Sequence, residues 1–237
     1  MYYHEVQLKI IAIIPARGGS KGVKNKNIKM VHGKPLIAWT IEAALRSQSI
    51  DEVLVTTDDA KIAEVSLAYG AKVPFIRDAF LAEDDTPTIE VVKDVFNRMP
   101  EFDKGILLQP TSPLRTTQDI DELIEQCLAS QALSSVSVCQ TEESPFWAYK
   151  KDANHHLIPL FDDIHITRRQ DLPKTYRLNG AIYFFDKAWL LEHNRFVTAQ
   201  TLAYEMPITR SIDLDTENDF KILNALNMEI LTNEALS

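Results

Sequence analysis

Short apolar runs alternate with helical stripes along most of the chain. Ile10–Ile14 is an unbroken and mostly β-branched run, the pattern of a strand buried on both faces. A loop rich in Gly, Lys and Asn follows, from Ala16 to about Lys34. Pro35 fits the first position of a helix. Ile37, Ile41, Ala44 and Leu45 then mark one helical face. Val53–Thr57 predicts a second strand that ends on Asp58 and Asp59. Ile62, Ala63, Leu67 and Tyr69 predict a helix stopped by Gly70, and Val73–Ile76 reads as a short strand. Thr86 and Pro87 read as an N-cap and first-turn pair opening a helix with Ile89, Val92, Val95 and Phe96. Ile106–Gln109 is a strand broken by Pro110. Thr116 and Asp119 can form a capping box ahead of Ile120, Leu123, Ile124 and Cys127, and Ser135–Cys139 alternates as a strand does.

This rhythm implies an α/β sandwich with a mostly parallel sheet. It breaks over residues 140–178, which carry Pro145, Pro159 and Pro173 and no helical period. So long a stretch is an active-site lid or a protruding arm rather than an ordinary connection. Strand character returns at Tyr183, Phe184 and Phe185 and again over Thr201–Met206. A second capping box, Thr216 with Asp219, opens a last helix bearing Phe220, Leu223, Leu226 and Ile230.

The 237 residues suffice for one full domain, 1–237, with 140–178 inserted in it. Lys plus Arg number 25 against 34 Asp plus Glu, a net charge of −9 that argues against a protein gripping a nucleic acid backbone. Two cysteines, Cys127 and Cys139, exclude a disulfide framework and a multi-cysteine zinc site; both lie in apolar stretches and read as buried thiols. The longest aliphatic run, Ile10–Ile14, cannot span a bilayer, and the first residues show no signal-peptide pattern, so a soluble cytoplasmic protein is expected.

The loop after the first strand reads Pro15-Ala16-Arg17-Gly18-Gly19-Ser20-Lys21-Gly22. In an open α/β sheet, ligands bind at the carboxyl ends of strands. Glycines there let backbone N–H groups approach an anion, and Arg17 and Lys21 add positive charge. The loop fits neither the dinucleotide nor the Walker pattern. Lys24, Lys26 and Lys29 follow; a basic cluster in an acidic protein points to a small polyanion. Near the other end, Ser211-Ile212-Asp213-Leu214-Asp215 alternates, so an extended backbone would place both carboxylates on one side. One or two carboxylates plus phosphates and waters is a usual Mg²⁺ environment. Capping of the last helix by Asp215 is the competing reading. Asp58 and Asp59 are explained equally well by helix capping.

Two further motifs stand between these ends: Leu107-Leu108-Gln109-Pro110-Thr111-Ser112-Pro113-Leu114-Arg115 and Asn179-Gly180-Ala181-Ile182-Tyr183. Together, in this order and spacing from about Ile11 to Phe220, the four strongly resemble the acylneuraminate cytidylyltransferases, or CMP-sialic acid synthetases. The resemblance implies a three-layer α/β/α nucleotidyltransferase fold with a mixed, mostly parallel sheet. It also implies a homodimer whose 140–178 arm leans over the partner's active site. The implied reaction joins CTP to a nine-carbon α-keto sugar acid, a sialic acid or a legionaminic or pseudaminic relative, and yields the CMP-sugar and pyrophosphate. By resemblance Arg17 and Lys21 hold the triphosphate beside Ala16, and Asn27, Arg77, Thr86 and Thr88 line the cytidine pocket. Gln109, Asn179, Tyr183 and Phe196 face the sugar, Arg169 meets the sugar carboxylate from its own or the partner subunit, and Asp213 and Asp215 bind Mg²⁺. Some members place a lysine near the turn at Ser144-Pro145, where this chain has Phe146 and Trp147, with Lys150 and Lys151 further on.

Arg17, Lys21, Asp213 and Asp215 would then carry the catalysis, an in-line attack of the anomeric hydroxyl on the CTP α-phosphorus. Rival readings are an eight-carbon keto-acid or other sugar nucleotidyltransferase, a metal-dependent glycosyltransferase, and a non-catalytic nucleotide-binding module. The glycine-rich first loop with the Asn179–Tyr183 motif favours the nine-carbon class. The late position of the Asp-x-Asp pair disfavours the glycosyltransferase, and the intact cations and carboxylates disfavour the module.

Overall fold

Strand β1, Ile10–Pro15, divides the core by its alternation. Ile10, Ala12 and Ile14 join one apolar cluster, Ile11 and Ile13 another, and each is at most 5% exposed. The computed structural model describes residues 8–161 and 168–226. After β1 come a short hairpin of β2 (Met30–Val31) and β3 (Lys34–Pro35), helix α1 (Leu36–Arg46), β4 (Glu52–Thr56) and α2 (Ala60–Ala68). Helix α3 (Thr88–Arg98), β5 (Lys104–Leu108), α4 (Thr117–Ala129) and β6 (Ser134–Gln140) follow. A second small hairpin is β7 (Tyr149–Lys151) with β8 (Leu157–Pro159). Strand β9 (Tyr176–Asp186), α5 (Lys187–His193), β10 (Leu202–Glu205) and α6 (Glu217–Ala225) are the last among the described residues.

The six-stranded sheet has the order β10-β6-β9-β5-β1-β4. β1 pairs in parallel with β4 and β5, and β10 with β6, while β9 runs antiparallel between β5 and β6. One face is covered by Ile37 and Ile41 of α1, Ile62 of α2 and Ile120, Leu123 and Ile124 of α4. The other is covered by Ile89, Val92, Val95 and Phe96 of α3 and Trp189 and Leu190 of α5. This is the expected α/β/α sandwich with a mixed, mostly parallel sheet. Gly105 permits part of that packing, since a Cβ there would lie 2.6 Å from the Phe185 ring and 2.9 Å from that of Phe96.

Both capping boxes form. The Thr116 and Thr216 hydroxyls each accept from the N–H three residues on, and Asp119 and Asp219 accept from the cap backbone in return. Ile230, the last apolar position expected of α6, lies outside the described residues. Both proline starts shift by one residue: Pro35 and Pro87 take the N-cap in extended conformation, and the helices begin at Leu36 and Thr88. Thr86 is therefore not a cap; its hydroxyl donates to the Phe80 carbonyl at 2.8 Å. The strand expected over Val73–Ile76 is reduced to one bridge between Lys72 and Leu54, as Pro74 has no N–H to extend a ladder.

Because β1, β4 and β5 are parallel, their carboxyl ends share one edge of the sheet. The Leu108↔Ile182 register carries the start of antiparallel β9, with Asn179 and Gly180, past the end of β5 onto that edge. A third apolar cluster, Val23, Val31, Leu36, Leu114, Leu214, Phe220 and Leu223, fastens the first loop to the segment ahead of α6. The expected 140–178 arm is shorter in the sheet's terms, since Gln140 ends β6 and Tyr176 to Leu178 already pair with it in β9; between those strands lies the β7–β8 hairpin, whose six residues are all exposed.

Candidate active site

A cleft of about 490 Å³ opens along that edge. Its walls include Arg17, Lys21, Lys26 and Asn27 from the first loop, Arg77, Thr86 and Thr88 from the approach to α3, Gln109 and Thr111 after β5, and Asp215. The chain's two ends thus meet in one cavity. Leu214 is fully buried in the third cluster, so its neighbours Asp213 and Asp215 stand to either side on the surface. The Leu214 N–H donates to the Thr111 carbonyl at 2.9 Å. The segment is not a strand, yet the alternation still frees both carboxylates. Nor is Asp215 the cap of α6, a place Thr216 takes; its carboxylate receives the Lys26 ammonium at 3.0 Å. A Cβ on Gly22 would lie 2.3 Å from the Asp215 carbonyl oxygen, so the first loop lies directly on the backbone of the acidic pair.

The phosphate-type loop is fixed by its neighbours. Ala16 is 1% exposed and donates its N–H to Thr56 at 3.0 Å; it anchors the loop from below rather than lining the cleft, as the backbone pairing buries it. The buried Asn27 amide donates to the Arg17 carbonyl at 3.1 Å. The Arg17 guanidinium and the Lys21 ammonium both pair with Asp84, which holds the Asp84 carboxyl below the usual carboxylate range. Composition alone did not single out Asp84, which lies in an acidic run that reads as solvated surface. The basic run is divided: Lys26 stays on the cleft, whereas Lys29 pairs with Glu217 and lies over the Phe220 ring at 4.6 Å, tying the loop to α6.

Arg77 is 4% exposed, with Nε and Nη2 buried and without a hydrogen-bond partner. Burial pulls its pKa down, while Asp58 works against that shift. Although its side chain reaches the surface, Asp213 is pushed up, first by partial desolvation and further by the Asp215 charge; a hydrogen bond from Thr111 opposes the rise. Burial, with the Asp213 charge, pushes the Tyr183 phenol up as well. The Tyr183 ring lies 5.4 Å from that of Phe196, which also packs on Phe185 at 5.5 Å. Both rings belong largely to the core behind the cleft.

Asn179 corrects the sequence reading: it is 2% exposed and its amide is fully engaged. Nδ2 donates to Ser211 Oγ at 2.9 Å and points to Met206 Sδ at 3.3 Å, while Oδ1 accepts from Ser137 Oγ and the Ala181 N–H. It fastens β6, β9 and the segment before Asp213 rather than facing open space. Arg169 does not reach the cleft of its own chain. It lies by Gln140, Thr141 and Lys174 in a separate depression and donates to the Glu142 carbonyl. Arg115 is a functional-edge residue that the sequence reading quoted without a role. Fully buried and pulled down to about 10 by burial, it donates to the carbonyls of Gln109 at 3.3 Å and Ala181 at 2.9 Å. It thereby stitches the β5 loop to β9.

Among the described residues no group of three or more His, Cys, Asp or Glu could hold a metal by itself. The Asp213–Asp215 pair offers two hard oxygen donors, and their mutual repulsion is the kind a divalent cation relieves; phosphate oxygens and water would have to complete the set, as suits Mg²⁺. Among the described residues no helix is long and apolar enough to cross a membrane.

A cation-lined cleft facing a carboxylate pair, at the carboxyl edge of such a sheet, defines a nucleotidyltransferase. The chain belongs to the cytidylyltransferase family, which it matches over residues 11–229, and is of the acylneuraminate cytidylyltransferase type. It is 38% identical over 234 residues to the CMP-N,N'-diacetyllegionaminic acid synthase of Legionella pneumophila, covering 94% of this chain and 100% of that one. It is 36% identical to a pseudaminic acid cytidylyltransferase of Campylobacter jejuni, covering 94% and 99%. The N-acylneuraminate cytidylyltransferase of Escherichia coli is 34% identical over 92% of this chain, which spans 52% of that longer protein. The fold is shared with a CMP:2-keto-3-deoxy-manno-octonic acid synthetase complexed with CTP, at TM-score 0.70 and 20% identity over 96% of this chain and 100% of that one.

Gly22→Ala is expected to force the first loop off the acidic pair, at an overpacking cost of about 1–3 kcal/mol. Thermal denaturation checks this: a melting temperature equal to wild type would show that the two segments are not in contact.

Proposed function

We propose that the chain activates a nine-carbon α-keto sugar acid of the sialic, legionaminic or pseudaminic kind with CTP, releasing pyrophosphate. The carrying observation is the meeting of Arg17 and Lys21 with Asp215 in one cleft, with Asp213 two residues before it and likewise exposed. The names of the relatives support the nine-carbon branch, since three of them act on sugar acids of this kind.

In this reading the triphosphate takes the place of the Asp84 carboxylate on Arg17 and Lys21, and these two cations stabilise charge developing on the departing pyrophosphate. Arg77, Thr86 and Thr88 receive the cytidine, with the unpartnered Arg77 N–H groups as donors to the base. Gln109, set by the Arg115 clamp, and Tyr183 border the sugar, and Phe196 backs Tyr183. The anomeric hydroxyl oxygen forms a bond to the α-phosphorus, giving up its proton to Asp213, Asp215 or water, as the bond from that phosphorus to the bridging oxygen breaks and pyrophosphate leaves with it, so positioning and charge neutralisation carry the catalysis. Asp213 and Asp215 would hold Mg²⁺, which when bound supplies charge neutralisation at the phosphates.

The 140–178 arm is read as a dimerisation element. Its hairpin exposes Tyr149, Leu157 and Ile158 together with nearby Leu160 and Phe161, an apolar surface suited to a second copy of the chain. Arg169, remote from its own cleft, would then serve the partner's. Sedimentation as a dimer is expected, and a monomer at micromolar concentration would remove this role.

Pyrophosphate release from CTP with a panel of eight- and nine-carbon keto acids tests the whole reading; turnover confined to the eight-carbon acid would overturn it. Asp213→Asn is expected to lower kcat more than tenfold with the fold intact, by removing a charge from the metal-binding pair. A wild-type rate at saturating Mg²⁺ would contradict that role. Lys21→Ala is expected to raise the KM for CTP by about tenfold, the scale of one charge-assisted phosphate contact. An unchanged CTP dependence in initial-rate assays would exclude it.

A further inference from the structure

The residues that end β4 hold both sides of the nucleotide cleft. The Thr56 carbonyl accepts the Ala16 N–H at 3.0 Å, and the Thr57 carbonyl accepts the Arg77 N–H at 2.8 Å. The next residue, Asp58, continues the sequence of contacts with its side chain. Its Oδ1 accepts the Gly18 N–H at 3.0 Å, and the same oxygen lies 3.6 Å from Arg77 Nη2. One carboxylate oxygen therefore faces the phosphate-type loop on one side and the buried guanidinium on the other. The loop lies close here: a Cβ on Gly18 would come within 2.8 Å of the Asp59 carboxylate. Asp59 is occupied otherwise, accepting the Lys61 and Ile62 N–H groups as the cap of α2.

The chemistry gives this arrangement a consequence. A guanidinium buried with two N–H groups unpartnered is costly unless a neighbouring carboxylate balances its charge or a ligand takes its donors. Cytosine presents two adjacent acceptors, O2 and N3, to such a pair of donors. Uracil carries a hydrogen on N3 and opposes one of them. In the cleft read as a CTP site, the orientation of Arg77 would decide which pyrimidine fits, and the Gly18 turn, next to Arg17, would set where the phosphates lie.

We propose that Asp58 is a positioning residue that locks Arg77 and the Gly18 turn into one unit, fixing the register between base and triphosphate and the preference for cytosine over uracil. This rests on the reading of the cleft as the CTP site. Asp58 touches neither base nor phosphate; it acts through the guanidinium and through the loop N–H.

Two substitutions separate the halves. Asp58→Asn keeps the size and the acceptor for Gly18 but removes the charge facing Arg77. Asp58→Ala removes both. The full-length chain and the two variants are titrated calorimetrically with CTP, UTP and pyrophosphate, and CTP kinetics are run in parallel. In Asp58→Asn the preference for CTP over UTP is expected to fall by about tenfold and the KM for CTP to rise more than kcat falls, the signature of a misdirected donor pair. Pyrophosphate affinity should stay within about twofold of wild type in Asp58→Asn and weaken several-fold in Asp58→Ala, for want of the loop acceptor.

A CTP-to-UTP ratio within about twofold of wild type in both variants would overturn the proposal, since an ion pair serving stability alone would leave that ratio in place. Loss of the folded state in Asp58→Asn, seen in its melting curve, would overturn it too. If wild type binds CTP but turns over no keto acid, the functional reading fails and the binding titrations still decide the role of Asp58. If wild type binds none of the three ligands, both fail together.

Discussion

Leu214 is the constraint on which the cleft depends. It is fully buried against Val23, Leu36 and Leu114, and burial of a leucine side chain is worth about 1.5–3 kcal/mol. That burial pulls a segment from the far end of the chain onto the loop that follows the first strand. Gly22 then lies directly on the Asp215 carbonyl, Lys26 reaches the Asp215 carboxylate, and Lys29 reaches Glu217. The apolar residue between two acids is therefore the tether that lets both acids stay at the surface, opposite the cations. Without it, the acidic pair itself would be held to the first loop chiefly by the Lys26–Asp215 ion pair, since Phe220 and Leu223 anchor only the helix that follows.

Sheet polarity supplies the second half of the arrangement. Three parallel strands, β1, β4 and β5, deliver their following loops to one edge, and antiparallel β9 brings its opening turn to the same place. Gly180, at φ +77°, holds that turn with its α-carbon face 3.9 Å from an Asp213 oxygen for any added Cβ. Asn179 and Arg115 then fasten β9 to its neighbours through buried hydrogen bonds. The positive pocket in an otherwise acidic chain follows from this convergence rather than from overall charge.

Much of this was legible in the residue pattern because it is local. The β-branched run at Ile10–Ile14, the two capping boxes and the glycine stop at Gly70 each depend on neighbours within a few positions. The order of the four motifs located the cleft, and most residues carried over from the family resemblance do line it. What escaped depends on contacts across long sequence separations. Asp58 reads as a helix cap until Gly18 and Arg77, from two other loops, are seen beside it. Asn179 reads by resemblance as facing the sugar until Ser137, Met206 and Ser211 are seen to enclose it. Arg115, the last residue of its motif, has no role to be read from the sequence, and only the structure shows two carbonyls claiming its guanidinium. Val73–Ile76 fails as a strand for the converse reason: its residue types suit a sheet, but Pro74 leaves only the single bridge at Lys72.

The buried arginines separate stability from function in this molecule. Arg115 and Arg77 both carry donors without partners in the protein, which a fold selected for stability alone would avoid. Arg115 is enclosed and spends one nitrogen on two carbonyls, so its role is to hold Gln109 and β9 in fixed relation. Arg77 contributes to the cleft wall, and its Nε and Nη2 are buried behind it without a hydrogen-bond partner. The same desolvation that weakens the hold of Arg77 on its proton strengthens any hydrogen bond it makes to a bound base, because both follow from the low polarity of its surroundings. Asp84 plays the matching part at the phosphate end, neutralising Arg17 and Lys21 from an exposed loop where a polyanion can displace it. The cleft thus holds unpartnered donors at Arg77 and ion-paired cations at Arg17 and Lys21, and in the proposed reading a nucleoside triphosphate would answer both conditions at once.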